Sequence, residues 1–144
     1  MAITYRNDMA EIDWRSLKAA LAADEFDNGR TPEQLRRSFQ NSSAVCIAWS
    51  ERDTVGTARV LSDGVCNAYL VDLWTLSTFR RRGIARGMVE RLCAGLTGQH
   101  IYLQADGELV PFYRRLGFME QPVGMSRIIG RWLVHGPRSS EQFA

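Results

Sequence analysis

The spacing of apolar positions changes period at one place in the chain, and that change marks its most informative stretch. From Tyr69 to Leu76 the residues are apolar, β-branched or aromatic apart from Asp72, the pattern of a central strand. From Ile84 onward the apolar residues are Ile84, Met88 and Leu92 with Ala85, Val89, Cys93 and Leu96, one face of a helix of period 3.6. A strand, a short turn and a helix are therefore predicted in succession.

Upstream, Ile3 to Arg6 alternates as a short first strand, and Trp14, Leu17 and Leu21 share a helical face in a segment that ends at Asn28-Gly29. Thr31-Pro32-Glu33-Gln34 is a helix start: Thr31 can cap, Pro32 suits the first turn, Gln34 can reach back, and Leu35 and Phe39 face inward. Ala44 to Trp49 and Val55 to Leu61 read as a hairpin across the polar turn Glu51 to Thr54. Ser62-Asp63-Gly64 turns again into a long strand from Val65 to Leu76. His100 to Gln104 is a further strand, reached by a helical crossover and so parallel to its predecessor. Asp106-Gly107 breaks the chain, Glu108 to Leu116 forms a late helix, Met119 to Ile129 supplies a hairpin-like final strand, and 135–144 is a polar tail. The expected fold is α/β, a mixed and mostly antiparallel sheet with helices on both faces, in one domain over residues 1–134.

Composition narrows the chemistry. With 144 residues and 45% apolar content, one core needs no disulfides. Net charge is only +2, and the positive charge is local: Arg80, Arg81, Arg82, Arg86 and Arg91 gather on one turn and one helix. That favours a small anionic ligand over nucleic acid. Cys46, Cys66 and Cys93 are widely spaced in apolar runs and read as reduced core residues. No metal spacing is present, and neither His100 nor His135 is placed by the sequence beside a nucleophile. The start lacks a signal-peptide plan and no apolar run approaches membrane length, so a cytoplasmic enzyme without membrane partners is the expectation.

The turn from Arg80 to Ala85 lies where the first backbone N–H groups of a helix lack intrahelical acceptors, and Gly83 lets a bulky anion approach. Arg80-Arg81-Arg82-Gly83-Ile84-Ala85 resembles the Arg/Gln-x-x-Gly-x-Gly/Ala pyrophosphate loop of the GCN5-related N-acetyltransferases, the GNATs, with Leu73-Trp74-Thr75 as the preceding strand. Phe112-Tyr113-Arg114-Arg115-Leu116-Gly117-Phe118 is similar to that family's late Phe-Tyr-x-x-x-Gly-Phe block. The two blocks cover roughly residues 69 to 118, and in this order they are far more specific than a glycine turn alone.

The resemblance implies acetyl-CoA as acyl donor, no metal, and a primary amine as acceptor. It further implies a splayed central pair of parallel strands, with the pantetheine arm along Leu73, Trp74, Thr75 and Leu76 and the diphosphate on Arg80, Arg81, Arg82, Gly83, Ile84, Ala85 and Arg86. Tyr113 resembles the family's proton donor to the leaving thiolate. Asp72 is the one acid of the central strand and stands as a candidate to attract or deprotonate the amine, or else to pair with an arginine; alternation sets it opposite Leu73 unless a bulge intervenes. Tyr69 occupies the place of a glutamate base in some members, and Asp106 that of a cofactor- or acceptor-contacting asparagine. By the same resemblance the two early helices and their loop line the acceptor side. A small-molecule amine is the first expectation, with peptide or protein amines and a non-catalytic acyl-CoA-binding module as alternatives. Family members often dimerise, and no stripe in the sequence identifies an interface.

Overall fold

A computed structural model describes residues 2–130. The expected polar tail, 135–144, lies outside the described residues. Five strands, β1 (Ile3–Arg6), β2 (Ala44–Ser50), β3 (Asp53–Ser62), β4 (Asn67–Thr75) and β5 (His100–Tyr102), form one sheet in chain order. Neighbours are antiparallel up to β4, and β4 and β5 run parallel. Four α-helices accompany them: α1 (Trp14–Ala23), α2 (Pro32–Gln40), α3 (Ile84–Ala94) and α4 (Val110–Arg115). The mixed α/β architecture is the one the sequence pattern predicts. By its internal contacts the chain divides after Leu103 into a unit holding the sheet and α1 to α3 and a second unit that begins at Gln104 and holds α4.

In the first unit the helices cover opposite faces of the sheet. Leu17 and Leu21 of α1 and Leu35 and Phe39 of α2 join Val45, Ile47, Trp49 and Trp74 in one buried cluster. α3 lies on the other face, since its Met88 approaches Ala48 and Gly56, and Ala48 alternates with Ile47 along β2. A methyl group at Gly56 would sit 3.0 Å from Met88 Cε and 3.1 Å from Ala48 Cβ, so this glycine sets how closely α3 packs. Each early helix is capped as its residues suggest. Asp13 accepts from the N–H groups of Arg15 and Ser16, and Thr31 and Gln34 form a complete capping box.

Three expected boundaries move. β4 begins at Asn67, not Val65, because Asp63 Oδ1 accepts from the N–H groups of Val65, Cys66 and Asn67 and winds that stretch into a turn. Cys66 is thereby exposed and is no core residue, whereas Cys46 is buried and Cys93 half-buried; all three are free thiols. β5 ends at Tyr102, short of Gln104. The late helix starts as a 3-10 turn at Gly107–Leu109 before α4.

The final strand over 119–129 is not formed: this stretch has no regular secondary structure. Pro122 lacks an N–H to donate, and Val123 at φ 69° leaves the extended region. Met119, Val123, Met125 and Ile129 are all well exposed. Among the described residues, no helix is long and apolar enough to cross a membrane.

Candidate active site

β4 carries the irregularity on which the site depends. Val71 faces Arg59 and Trp74 faces Thr57, so Asp72 and Leu73 together oppose the single residue Ala58. This is a β-bulge, and Asp72 accommodates it at φ 55°. Before it, Leu70 pairs with Val60 on the α3 face; after it, Trp74 lies in the α1–α2 cluster and Asp72 meets Arg59, whose guanidinium stacks on Phe39 of α2. The strand exchanges its two faces at the bulge. β5 pairs only with Asn67, Ala68 and Tyr69, so from Leu70 to Thr75 the corresponding edge of β4 has no strand partner among the described residues.

The free edge leads straight into the arginine turn. Leu76 N–H donates to Val55 O at 2.8 Å, Ser77–Phe79 makes one 3-10 turn, and Gly83 caps α3 in the left-handed conformation at φ 78°. No side chain caps α3, so its first N–H groups take no side-chain acceptor, and a Cβ at Gly83 would meet nothing within 4 Å. Arg81, at φ 64°, is also left-handed, and Arg81 and Arg82 are exposed. Arg80 is tied down: its Nε donates to Thr75 O at 3.0 Å and a terminal nitrogen lies 3.4 Å from Asp24 Oδ2. Arg82 stacks over the Phe79 ring, and Arg86 pairs with Glu90 at 2.8 Å.

These residues suit a linear ligand with an anionic group. A strand edge without a strand partner can pair with an amide-bearing arm, a helix N-terminus without a side-chain cap can take a diphosphate, and the buried Thr75 hydroxyl has no hydrogen-bond partner. Leu73 to Leu76 and Arg80 to Arg86 are thus continuous in space as in sequence.

Asp72 is in a different setting from that of a free base. Arg30 NH1 and NH2 donate to its two oxygens at 2.9 and 3.0 Å, and Arg59 Nε donates at 2.5 Å. Burial alone would raise its pKa, but the hydrogen bonds and charges of Arg30 and Arg59 outweigh that and hold it below the usual carboxylate range. A carboxylate so engaged is a weak proton acceptor. Neither arginine is singled out by the sequence pattern, although a charge inside the apolar run Ala58-Arg59-Val60 was a signal for Arg59. Tyr69 pairs directly with Tyr102 of β5 and is half-exposed, with its phenol raised by burial.

In the second unit, α4 closes with a Schellman motif. Phe118 N–H donates to Tyr113 O and Gly117 N–H to Arg114 O, with Gly117 at φ 92°. The motif folds Phe118 back onto the Tyr113 ring at 5.8 Å between centroids, and Phe112 flanks it at 5.0 Å. Tyr113 is thereby set between two aromatic rings, and burial pushes its phenol up to about 12. Asp106 caps the 3-10 turn through Glu108 N–H at 3.3 Å, while its buried Oδ2 has no partner.

The acetyltransferase (GNAT) domain family model matches residues 10–134, across both units. The chain belongs to the GNAT family. Members of this family transfer an acetyl group from acetyl-CoA. Among similar proteins, a chloroplastic serotonin N-acetyltransferase of Oryza sativa subsp. japonica is 36% identical over 124 residues, covering 81% of this chain and 62% of that protein. A histone acetyltransferase of Glycine max is 32% identical over 78 residues, covering 52% of this chain and 34% of that protein. The chain therefore spans less than two thirds of the length of these relatives. A GNAT family acetyltransferase structure from Streptococcus pneumoniae TIGR4 superposes with a TM-score of 0.74 at 24% identity, covering 88% of this chain and 98% of that one, which establishes the shared fold.

Proposed function

We propose that this chain is an N-acetyltransferase that moves the acetyl group of acetyl-CoA directly to the primary amine of a small molecule. The observation that carries the proposal is the unpaired edge of β4 running from the bulge into the uncapped, left-handed Gly83 turn at the start of α3. In this reading the N–H groups of residues 82 to 86 hold the diphosphate, with Arg81, Arg82 and Arg86 at its rim, and Leu73 to Leu76 hold the pantetheine arm. Arg80 shapes the turn through Thr75 and Asp24. Asp106 Oδ2, buried and without a donor, is assigned to accept an N–H from bound ligand.

Acetyl-CoA supplies the activated carbonyl and the thiol leaving group. Tyr113 supplies an O–H toward the departing sulfur. A phenol near 12 stays protonated throughout the working range, but it is roughly 3–4 units weaker as an acid than a thiol of pKa ~8.5. Its contribution is therefore a hydrogen bond that strengthens as negative charge gathers on sulfur, with full proton transfer uphill. A primary ammonium near pKa ~10.4 is neutral in only about one molecule in two thousand at pH 7, so deprotonation costs about 4–5 kcal/mol before attack. The engaged Asp72 is poorly suited to that task, and no residue is assigned to it.

The relatives' names include both a small amine and a protein as acceptors, and we take the small amine first. The test is acetyl-CoA binding by calorimetry together with thiol release across an amine panel that contains serotonin and a histone-tail peptide. Gly83→Val is expected to weaken acetyl-CoA binding at least about tenfold, because valine resists φ 78° and covers the N–H groups. Binding that is unaffected by that change removes the donor site. Binding without turnover of any amine removes the enzyme, and turnover of the peptide alone replaces the acceptor class.

A further inference from the structure

We infer that Asp72 and Arg30 are positioning residues whose ion pair clamps the α1–α2 loop beside the β4 bulge, fixing the wall against which the acceptor amine docks. The inference rests on the transferase reading above and adds to it what the carboxylate in the central strand does.

The loop from Asp24 to Thr31 is held at both ends along one stretch of β4. At its start, Asp24 Oδ2 accepts from Trp74 Nε1 at 2.9 Å and lies 3.4 Å from Arg80 of the arginine turn. At its end, Arg30 forks onto both oxygens of Asp72, and its Nε donates to Asp27 O at 3.0 Å within the loop. Lys18 of α1 pairs with the Asp27 carboxylate, and Phe26 packs against the α1–α2 core cluster. Between these anchors the backbone is unusual: Glu25, Asn28 and Gly29 have φ of 57°, 56° and 69°. Left-handed residues outside glycine persist where surrounding contacts over-determine them, and they gather at ligand-shaping segments.

Asp72 is itself the left-handed bulge residue, so one side chain holds both the loop and the strand irregularity. Arg59 completes the clamp, donating to Asp72 and reaching Ser38 O, a carbonyl of the last turn of α2, at 3.3 Å. With a diphosphate at residues 82 to 86 and the arm running back from Leu76 toward Leu73, the acyl end of the donor falls at the Asp72 end of the loop. Arg30 therefore secures the part of the loop nearest the acyl group, and Asp24 the part nearest the diphosphate. Loosening Arg30 should disturb the acceptor and spare the donor.

The experiment compares wild type, Arg30→Met, Arg30→Lys and Asp72→Asn by backbone hydrogen exchange and by steady-state kinetics with serotonin or the best amine of the panel. Arg30→Met leaves the Asp72–Arg59 pair in place, which keeps a folded variant in hand should Asp72→Asn unfold. Expected for Arg30→Met are at least about tenfold faster exchange at residues 25–30, an acceptor KM raised about tenfold, kcat lowered less than about threefold and an acetyl-CoA KM within about twofold. Arg30→Lys should recover part of the acceptor KM. Unchanged exchange at 25–30, or faster exchange with an unchanged acceptor KM, overturns the clamp. So does an Asp72→Asn variant whose kcat collapses at constant KM with loss of the acidic limb of its pH profile, because that would make Asp72 the base. If wild type turns over no amine, the transferase reading fails, while exchange at 25–30 alone still decides whether Arg30 holds the loop.

Discussion

Tyr113 owes its setting to a helix ending. In Phe112-Tyr113-Arg114-Arg115-Leu116-Gly117-Phe118, Gly117 supplies the left-handed residue and Phe118 folds back on the tyrosine ring, so the motif is a cap that orients a phenol. Tyr113→Phe keeps the packing and removes the O–H; kcat should fall about 10- to 100-fold, roughly 1.4–2.7 kcal/mol, with acetyl-CoA binding unchanged by calorimetry. An undiminished kcat would take the tyrosine out of the chemistry. The raised phenol also sets an alkaline limit on stability: the neutral form is favoured by folding, so its contribution is present below pH 10 and lost as pH rises toward 12. Asp72 has the opposite sign. Held below 3.8 when folded, it stabilises above that pH and the contribution is lost on acidification through its lowered value. Asp72→Asn leaves two half-satisfied buried guanidiniums, and urea unfolding at pH 7 should show a loss of roughly 3–5 kcal/mol. The Thr31–Gln34 box could be read from local spacing, whereas Tyr113 was singled out only by the resemblance of its block to the family's. The pairing of Asp72 with Arg30 could not, since the two are 42 positions apart and nothing local links them.

Elements were legible where periodicity was long and unbroken. β2, β3 and α3 emerged within a few residues because their apolar faces repeat over several turns or pleats. β4 shows where the pattern misleads: Ala68, Leu70, Asp72 and Trp74 are all buried, an even alternation, yet the first two face α3 and the last two face α1 and α2. Burial alone does not reveal a bulge when both faces are covered. The start of β4 was missed because Asp63 draws Val65 and Cys66 out of the strand with side-chain hydrogen bonds. Asp63→Ala removes those acceptors; a lower urea midpoint is expected, with faster exchange at Val65 to Asn67. The final strand failed for a related reason, since Pro122 and the left-handed Val123 interrupt a stretch whose apolar content alone suggested pairing.

For the whole molecule, a net charge of +2 and a positive cluster on one turn predict a ligand response unlike that of a nucleic-acid protein. Between 50 and 500 mM salt, acetyl-CoA affinity should fall by less than about tenfold, whereas a protein neutralising 6–10 phosphates loses roughly 10³–10⁵ over a narrower range. Retention on a DNA column with a steep salt dependence would overturn the small-anion assignment. The first unit holds the strand edge, the turn and the loop, the second holds Tyr113 and Asp106, and the family match over residues 10–134 covers residues of both.

The supernumerary residue at position 72 is the one place on this strand where a residue could be lost without shifting the pairing beyond it. Deleting it would leave Val71 opposite Arg59, Leu73 opposite Ala58 and Trp74 opposite Thr57, a plain ladder that keeps the indole of Trp74 on the side of Asp24 but loses the carboxylate that holds Arg30 and Arg59. A codon lost elsewhere in β4, with the bulge kept, would instead slip the pairing by one residue and turn that part of the strand over.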